Sequence, residues 1–200
     1  MVELSHVSFS YGKAKPTVLQ DVCLTASAGQ CTVLTGENGS GKSTLIGILA
    51  GVLKPKCGKV RITGRRGYVP QESALLDDMT VEENIRFFSK LAKVKCPAKE
   101  ELPFGIEEFY HQRVGALSGG MKKRVSLACA LLGDPDTLLL DEPAASLDEG
   151  YRQLLVETLL QLRQKGVCLI YIGHREEEYR AFCDRRYTLR EGVLFENPIE

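Results

Sequence analysis

The sequence has no excess of either charge sign: Lys plus Arg and Asp plus Glu each number 26, so its formal net charge is zero. Its basic clusters, Arg65-Arg66 and Lys122-Lys123-Arg124, are short, and the first pair reads as solvated surface. No nucleic-acid partner is therefore expected. Long apolar runs are missing too. The longest, Leu45 to Leu53, includes two glycines and falls well short of the roughly 18–20 residues that a membrane span requires. The opening MVELSHVSFSYG carries an acid at Glu3 and no uninterrupted apolar stretch, so no signal peptide is expected and the chain reads as cytosolic and soluble by itself. CxxC pairs are absent as well. The seven cysteines, at 23, 31, 57, 96, 129, 168 and 183, read as small core hydrophobes in a reducing compartment rather than as metal ligands or disulfides. There is no internal repeat and no low-complexity segment. With 200 residues, 44% of them hydrophobic, the chain can bury one good core, and a single domain is expected over 1–200.

What is present begins with Gly36-Glu37-Asn38-Gly39-Ser40-Gly41-Lys42-Ser43-Thr44, a glycine, four residues and then Gly-Lys-Ser. Glycines let consecutive backbone N–H groups converge on phosphate oxygens in conformations that side chains forbid. Lys42 can then reach the β- and γ-phosphates, Ser43 can ligate Mg²⁺, and a helix opening at Lys42 directs the positive end of its dipole at the anion. Gln30 to Thr35 reads as a buried strand entering this loop, and Thr44 to Leu53 as the helix leaving it.

Val2 to Ser10 and Val18 to Ala26 alternate in part, as an antiparallel pair half facing solvent would. Short strands are expected at 59–62 and 67–70. Val81 to Leu91 reads as a helix with Thr80 as N-cap and Glu83 three residues on. The polar stretch 93–105 bounds a helical subdomain, expected over about 72–133 and inserted in the core. Helices at 118–132, 149–165 and 175–182, apolar strands at 137–140 and 167–172, and a closing hairpin from Tyr187 to Phe195 complete the pattern. Strands that are apolar throughout and alternate with helices predict an α/β fold: a P-loop NTPase core with a mostly parallel sheet flanked by helices, beside an N-terminal antiparallel β subdomain. Ligands should bind where strand ends meet helix starts.

The strand Leu138-Leu139-Leu140 delivers Asp141 and Glu142 at its end. Beside a phosphate loop, Asp141 suits Mg²⁺ and Glu142 suits the orientation or deprotonation of a water attacking the γ-phosphate. Leu117-Ser118-Gly119-Gly120 is the discriminating motif. Here the chain resembles the ATP-binding cassette (ABC) family over nearly all its length. In that family two cassettes face each other head to tail, and the LSGG of one closes over ATP on the phosphate loop of the other. The resemblance implies that Ser118, Gly119 and Gly120 serve a partner's nucleotide. It places Tyr11 against adenine, Gln71 at Mg²⁺ and the attacking water, the Ser146-Leu147-Asp148 loop across the dimer interface, and His174 at the γ-phosphate.

Departures from the family pattern are Met121 after LSGG, the uncharged Cys129, and Ala144-Ala145 where Thr-Ser or Thr-Asn is usual. None removes a phosphate, metal or water ligand. The LSGG-Met-Lys-Lys-Arg form is similar to cassettes of the drug, lipid and polysaccharide exporter branch, and the short chain to the haem-export type. The resemblance therefore implies a Mg·ATP-hydrolysing subunit that pairs with a second cassette, as homodimer or heterodimer. It would drive separate integral membrane subunits from the cytoplasmic face, contacting them near Glu72 to Asn84 with Leu75, Leu76 and Met79 as apolar anchors or as subdomain core. Alternatives are a soluble cassette ATPase acting on a macromolecular complex, and a nucleotide-sensing regulatory module. One cassette without a heptad insert argues against the first, and intact Glu142 and His174 against the second.

Overall fold

A computed structural model describes residues 1–12 and 14–198. Strands β1 (Val2–Phe9), β2 (Leu19–Ala26) and β4 (Cys57–Ile62) form an antiparallel sheet in the order β2-β1-β4. The expected N-terminal pair is present, and the strand expected at 59–62 joins it as the third member. β3 (Cys31–Thr35), β5 (Arg66–Val69), β6 (Thr137–Asp141), β7 (Cys168–Ile172), β8 (Arg185–Arg190) and β9 (Val193–Asn197) make the second sheet, ordered β5-β6-β7-β3-β8-β9. Every pairing in it is parallel except the closing β8-β9 hairpin.

The central parallel strands β3, β6 and β7 are buried almost throughout, and β7 is apolar in every position, because both of their faces are covered. Leu139 of β6 and Cys168, Ile170 and Ile172 of β7 face the cluster that packs α1 (Lys42–Ala50) and the antiparallel sheet. Leu138, Leu140, Leu169 and Tyr171 face the opposite way, onto Leu127, Leu155, Leu159 and Phe182. The latter group draws on α3 (Gly119–Leu131) and α4 (Glu149–Gln164). Adjacent residues thus serve two cores, the expected result of a side-chain period of two.

A third cluster gathers Val81 and Ile85 of α2 (Val81–Ala92), Leu102, Ile106, Phe109 and Val114 of short 3₁₀ turns, and Val125 of α3. The Thr80 hydroxyl accepts from the Glu83 amide at 3.2 Å while the Glu83 carboxylate accepts from the Thr80 amide at 2.8 Å, the reciprocal box expected at the start of α2. Two expectations need correction. The helix expected over 175–182 is a single turn, α5 (Glu176–Tyr179). Its three consecutive glutamates support the start of a helix dipole and little else, and the chain must turn at once into β8. The cysteines are not all core: Cys31 and Cys168 are buried, but Cys23 and Cys57 lie on the exposed face of the antiparallel sheet. There the strand alternation, which turns Val22 and Leu24 inward, turns Cys23 out. Among the described residues no helix is long and apolar enough to cross a membrane.

Candidate functional site

β3 is buried along four of its five residues and ends at Thr35, so the glycine-rich loop begins where the sheet stops. Gly36 adopts φ 140°, and a Cβ there would stand 2.4 Å from the Leu189 carbonyl oxygen of β8. Only glycine permits that approach. Gly41, at φ 106°, makes the turn into α1, leaving the helix N-terminus uncapped by any side chain and its amides directed toward the loop. That is the arrangement an anion requires. The Lys42 ammonium donates to the carbonyls of Gly36 at 2.9 Å and Glu37 at 2.8 Å, arching across the loop it would share with phosphate. Burial pushes its pKa below the usual lysine value, and the Glu142 and Asp141 carboxylates pull it back.

Asp141 ends β6 and is 1% exposed. Burial raises its carboxyl above the ordinary carboxylate range and Glu142 adds to the rise, whereas a hydrogen bond with Ser43 and the charges of Lys123 and Lys42 oppose it. Its Oδ1 is buried without a hydrogen-bond partner among the described residues. An orphaned carboxylate oxygen beside a serine hydroxyl and an exposed glutamine is a set of hard oxygen donors, which fits Mg²⁺. Ser43, Asp141 and Gln71 would hold it. Glu142 follows with φ 49°, a left-handed backbone that a residue without a special reason avoids. Its amide donates to the Ile172 carbonyl at the end of β7, and its Oε1 lies 2.8 Å from His174 Nε2. The strained backbone therefore delivers the carboxylate to the imidazole rather than continuing along the strand.

Tyr11, Asn38, Gly39, Gly41, Lys42, Ser43, Thr44, Gln71, Glu142 and His174 line one cleft together with Val18, which carries no signal in the sequence. Tyr11 stands at its rim, 5.0 Å edge-on from Phe9, with its hydroxyl 2.9 Å from that of Thr44. Glu37 and Ser40 lie on the loop's other side, beside Leu189, Arg190 and Phe195. Ser118, Gly119, Gly120 and Asp148 do not line the cleft. Ser118 caps α3 by accepting from the Met121 amide at 3.3 Å, and Asp148 caps α4 by accepting from the Tyr151 amide at 3.0 Å. A Cβ on Gly120 would stand 2.6 Å from the Ser146 carbonyl, so LSGG and the Ser146 loop are packed together as one surface.

The segment after Gln71 divides. Leu75 is half-buried against the helical cluster, whereas Leu76 and Met79 are 36% and 37% exposed. Asn84 is no surface residue: it is fully buried, accepting from the Leu76 amide at 2.8 Å and donating to the carbonyls of Leu76 and Thr80. The sequence reading also missed Lys123, buried beneath Gln71. A lysine within a run of three cations gives no sign of burial.

A family model described as ABC transporter matches residues 19–145. The chain is 31% identical over 212 residues to a linearmycin resistance ATP-binding protein of Bacillus subtilis (strain 168), covering 97% of this chain and 68% of the relative. It is 35% identical over 209 residues to a Nod factor export ATP-binding protein of Paraburkholderia xenovorans (strain LB400), covering 96% and 68%. Among solved structures it is similar, with a TM-score of 0.88 and 25% identity, to a dimeric post-hydrolysis state of an ATP-binding cassette bound to ADP and Pi, covering 100% of this chain and 99% of that one.

Proposed function

Because this chain belongs to the ABC transporter family, we propose that it is the ATP-hydrolysing subunit of an exporter, pairing with a second cassette around two Mg·ATP to drive separate membrane subunits. It is an ATPase that uses Mg·ATP. The export direction is favoured by relatives whose names specify Nod factor export. In this reading residues 1–200 are one cassette with a helical subdomain over about 72–133.

The observation that carries the mechanism is the Glu142–His174 pair, 2.8 Å apart in the cleft that Lys42 and Ser43 also line, with the buried Asp141 hydrogen-bonded to Ser43. Mg²⁺, when bound, neutralises phosphate charge and orients the β- and γ-phosphates. Lys42 and the loop amides hold the phosphates, and Tyr11 takes the adenine ring. Glu142 positions a water and accepts its proton, while His174 holds the Glu142 carboxylate and approaches the γ-phosphate. Ser118, Gly119, Gly120 and Asp148, which stand outside the cleft, complete the site of the second cassette, whether that is a copy of this chain or a different one.

Replacing Glu142 by Gln tests this assignment. The variant should bind ATP, lose hydrolysis by at least about 10²-fold, as removal of a general base does, and elute as an ATP-dependent dimer on size exclusion. Hydrolysis at the parent rate would overturn the role.

A further inference from the structure

Two consecutive cations of α3 are buried, Lys123 at 8% and Arg124 at 6% exposure. Arg124 faces its own subdomain and α4. It donates to the carbonyls of Phe104 and Gly105, both at 2.6 Å, and its guanidinium lies 3.7 Å from the Tyr151 ring centroid. That packing accounts for it. Lys123 points elsewhere, its ammonium donating to the carbonyls of Pro70 at 3.2 Å and Gln71 at 3.1 Å. The carboxylates whose charge bears on it are Asp141 and Glu142.

A buried ammonium is tolerated only where acceptors and counter-charges meet it. Both kinds of partner here belong to the reaction site or to its immediate backbone. Lys123 also sits on the same helix as Ser118, whose hydroxyl caps that helix. Five residues along an α-helix span about 7–8 Å of rigid rise. Lys123 thus ties the Gln71 backbone directly to the helix that begins at Ser118.

We propose that Lys123 is a positioning residue for ATP hydrolysis: it ties the backbone of Gln71 to the helix that begins at Ser118 and so fixes where the Gln71 side chain stands in the cleft. The inference rests on the reading of Gln71 as a site residue, and it assigns the coupling to one side chain. A methionine of similar length cannot donate, whereas an arginine can.

The test is a cycle of Lys123→Met and Gln71→Ala in the full chain, read by steady-state ATPase kinetics, nucleotide binding with a fluorescent ATP analogue, and thermal melting. In the parent background Lys123→Met should lower kcat by about tenfold or more, the scale of a misplaced reacting group. KM for ATP and analogue affinity should stay within twofold, and Lys123→Arg should recover most of kcat. In the Gln71→Ala background the same Lys123→Met change should cost less than twofold, because its route to the reaction is already gone. Additive losses in the cycle, or an unchanged kcat in Lys123→Met, would overturn the inference. Should Lys123→Met fail to fold, the cycle is run with Lys123→Leu, which also cannot donate, against the same criteria. A parent-like kcat for Gln71→Ala alone would instead overturn the reading of Gln71 on which the inference stands.

Discussion

At the scale of the residue, the site holds groups that its surroundings do not favour. Asp141 is buried, and its raised pKa means that the folded chain holds the proton more tightly than the unfolded chain does. Its contribution to stability is therefore complete below the ordinary carboxylate range and declines as pH rises through and above it. Above the ordinary carboxylate range the raised pKa of Asp141 costs stability, so Asp141→Asn should raise the melting temperature of the nucleotide-free protein at neutral pH while abolishing Mg²⁺-dependent hydrolysis. A melting temperature below that of the parent would show that the carboxylate's partners outweigh its burial. Glu142 is a second such case, with its φ of 49° at the point where the chain leaves β6. Both identities were legible in the sequence from an apolar strand ending in two acids. Neither the orphaned Oδ1 nor the left-handed backbone was, because both depend on what β7 and α1 place beside them.

Elements show the same division. The capping box at Thr80 and Glu83 was readable, since its spacing is local and its partners are neighbours in the chain. The extent of the last helix was not, because the need to enter β8 beside β3 is imposed by a strand about 150 residues away. Asn84 links these levels. It closes the segment expected to contact membrane subunits, yet it is buried within α2 and holds the 76–80 backbone through three hydrogen bonds. Asn84→Ala leaves the Leu76 amide without that partner, at a cost of about 1–3 kcal/mol. The melting temperature should fall by about 2–4 °C for each kcal/mol in a chain of this size. An unchanged melting temperature would mean that water replaces the side chain.

The whole molecule is incomplete as a catalyst in this reading, since Ser118 and Asp148 lie apart from the cleft that holds Lys42 and Glu142. Ser118→Arg should leave nucleotide binding within twofold of the parent and block hydrolysis. Ser118→Ala removes the cap, worth about 1 kcal/mol of helix stability, together with the hydroxyl offered to the second cassette's nucleotide, and should lower hydrolysis less than Ser118→Arg does. Equal rates for Ser118→Arg and the parent would exclude a cross-subunit site. The exposed Leu76 and Met79 belong to this scale too. Replacing both by Asp should preserve ATPase activity of the isolated chain and abolish copurification with the proposed membrane subunits; retained copurification would move that contact elsewhere.

By itself the sequence determined the chemistry and the class of fold. The glycine spacing, the apolar strands and the acid pair are local patterns whose physical consequences hold wherever the chain goes. The folded chain alone sets which of those residues share a cleft, Gln71 with Glu142 but not Ser118, and that Lys123 is buried. Those facts arise from contacts between segments remote in sequence, where packing of one element on another sets distance and burial and no residue pattern records it.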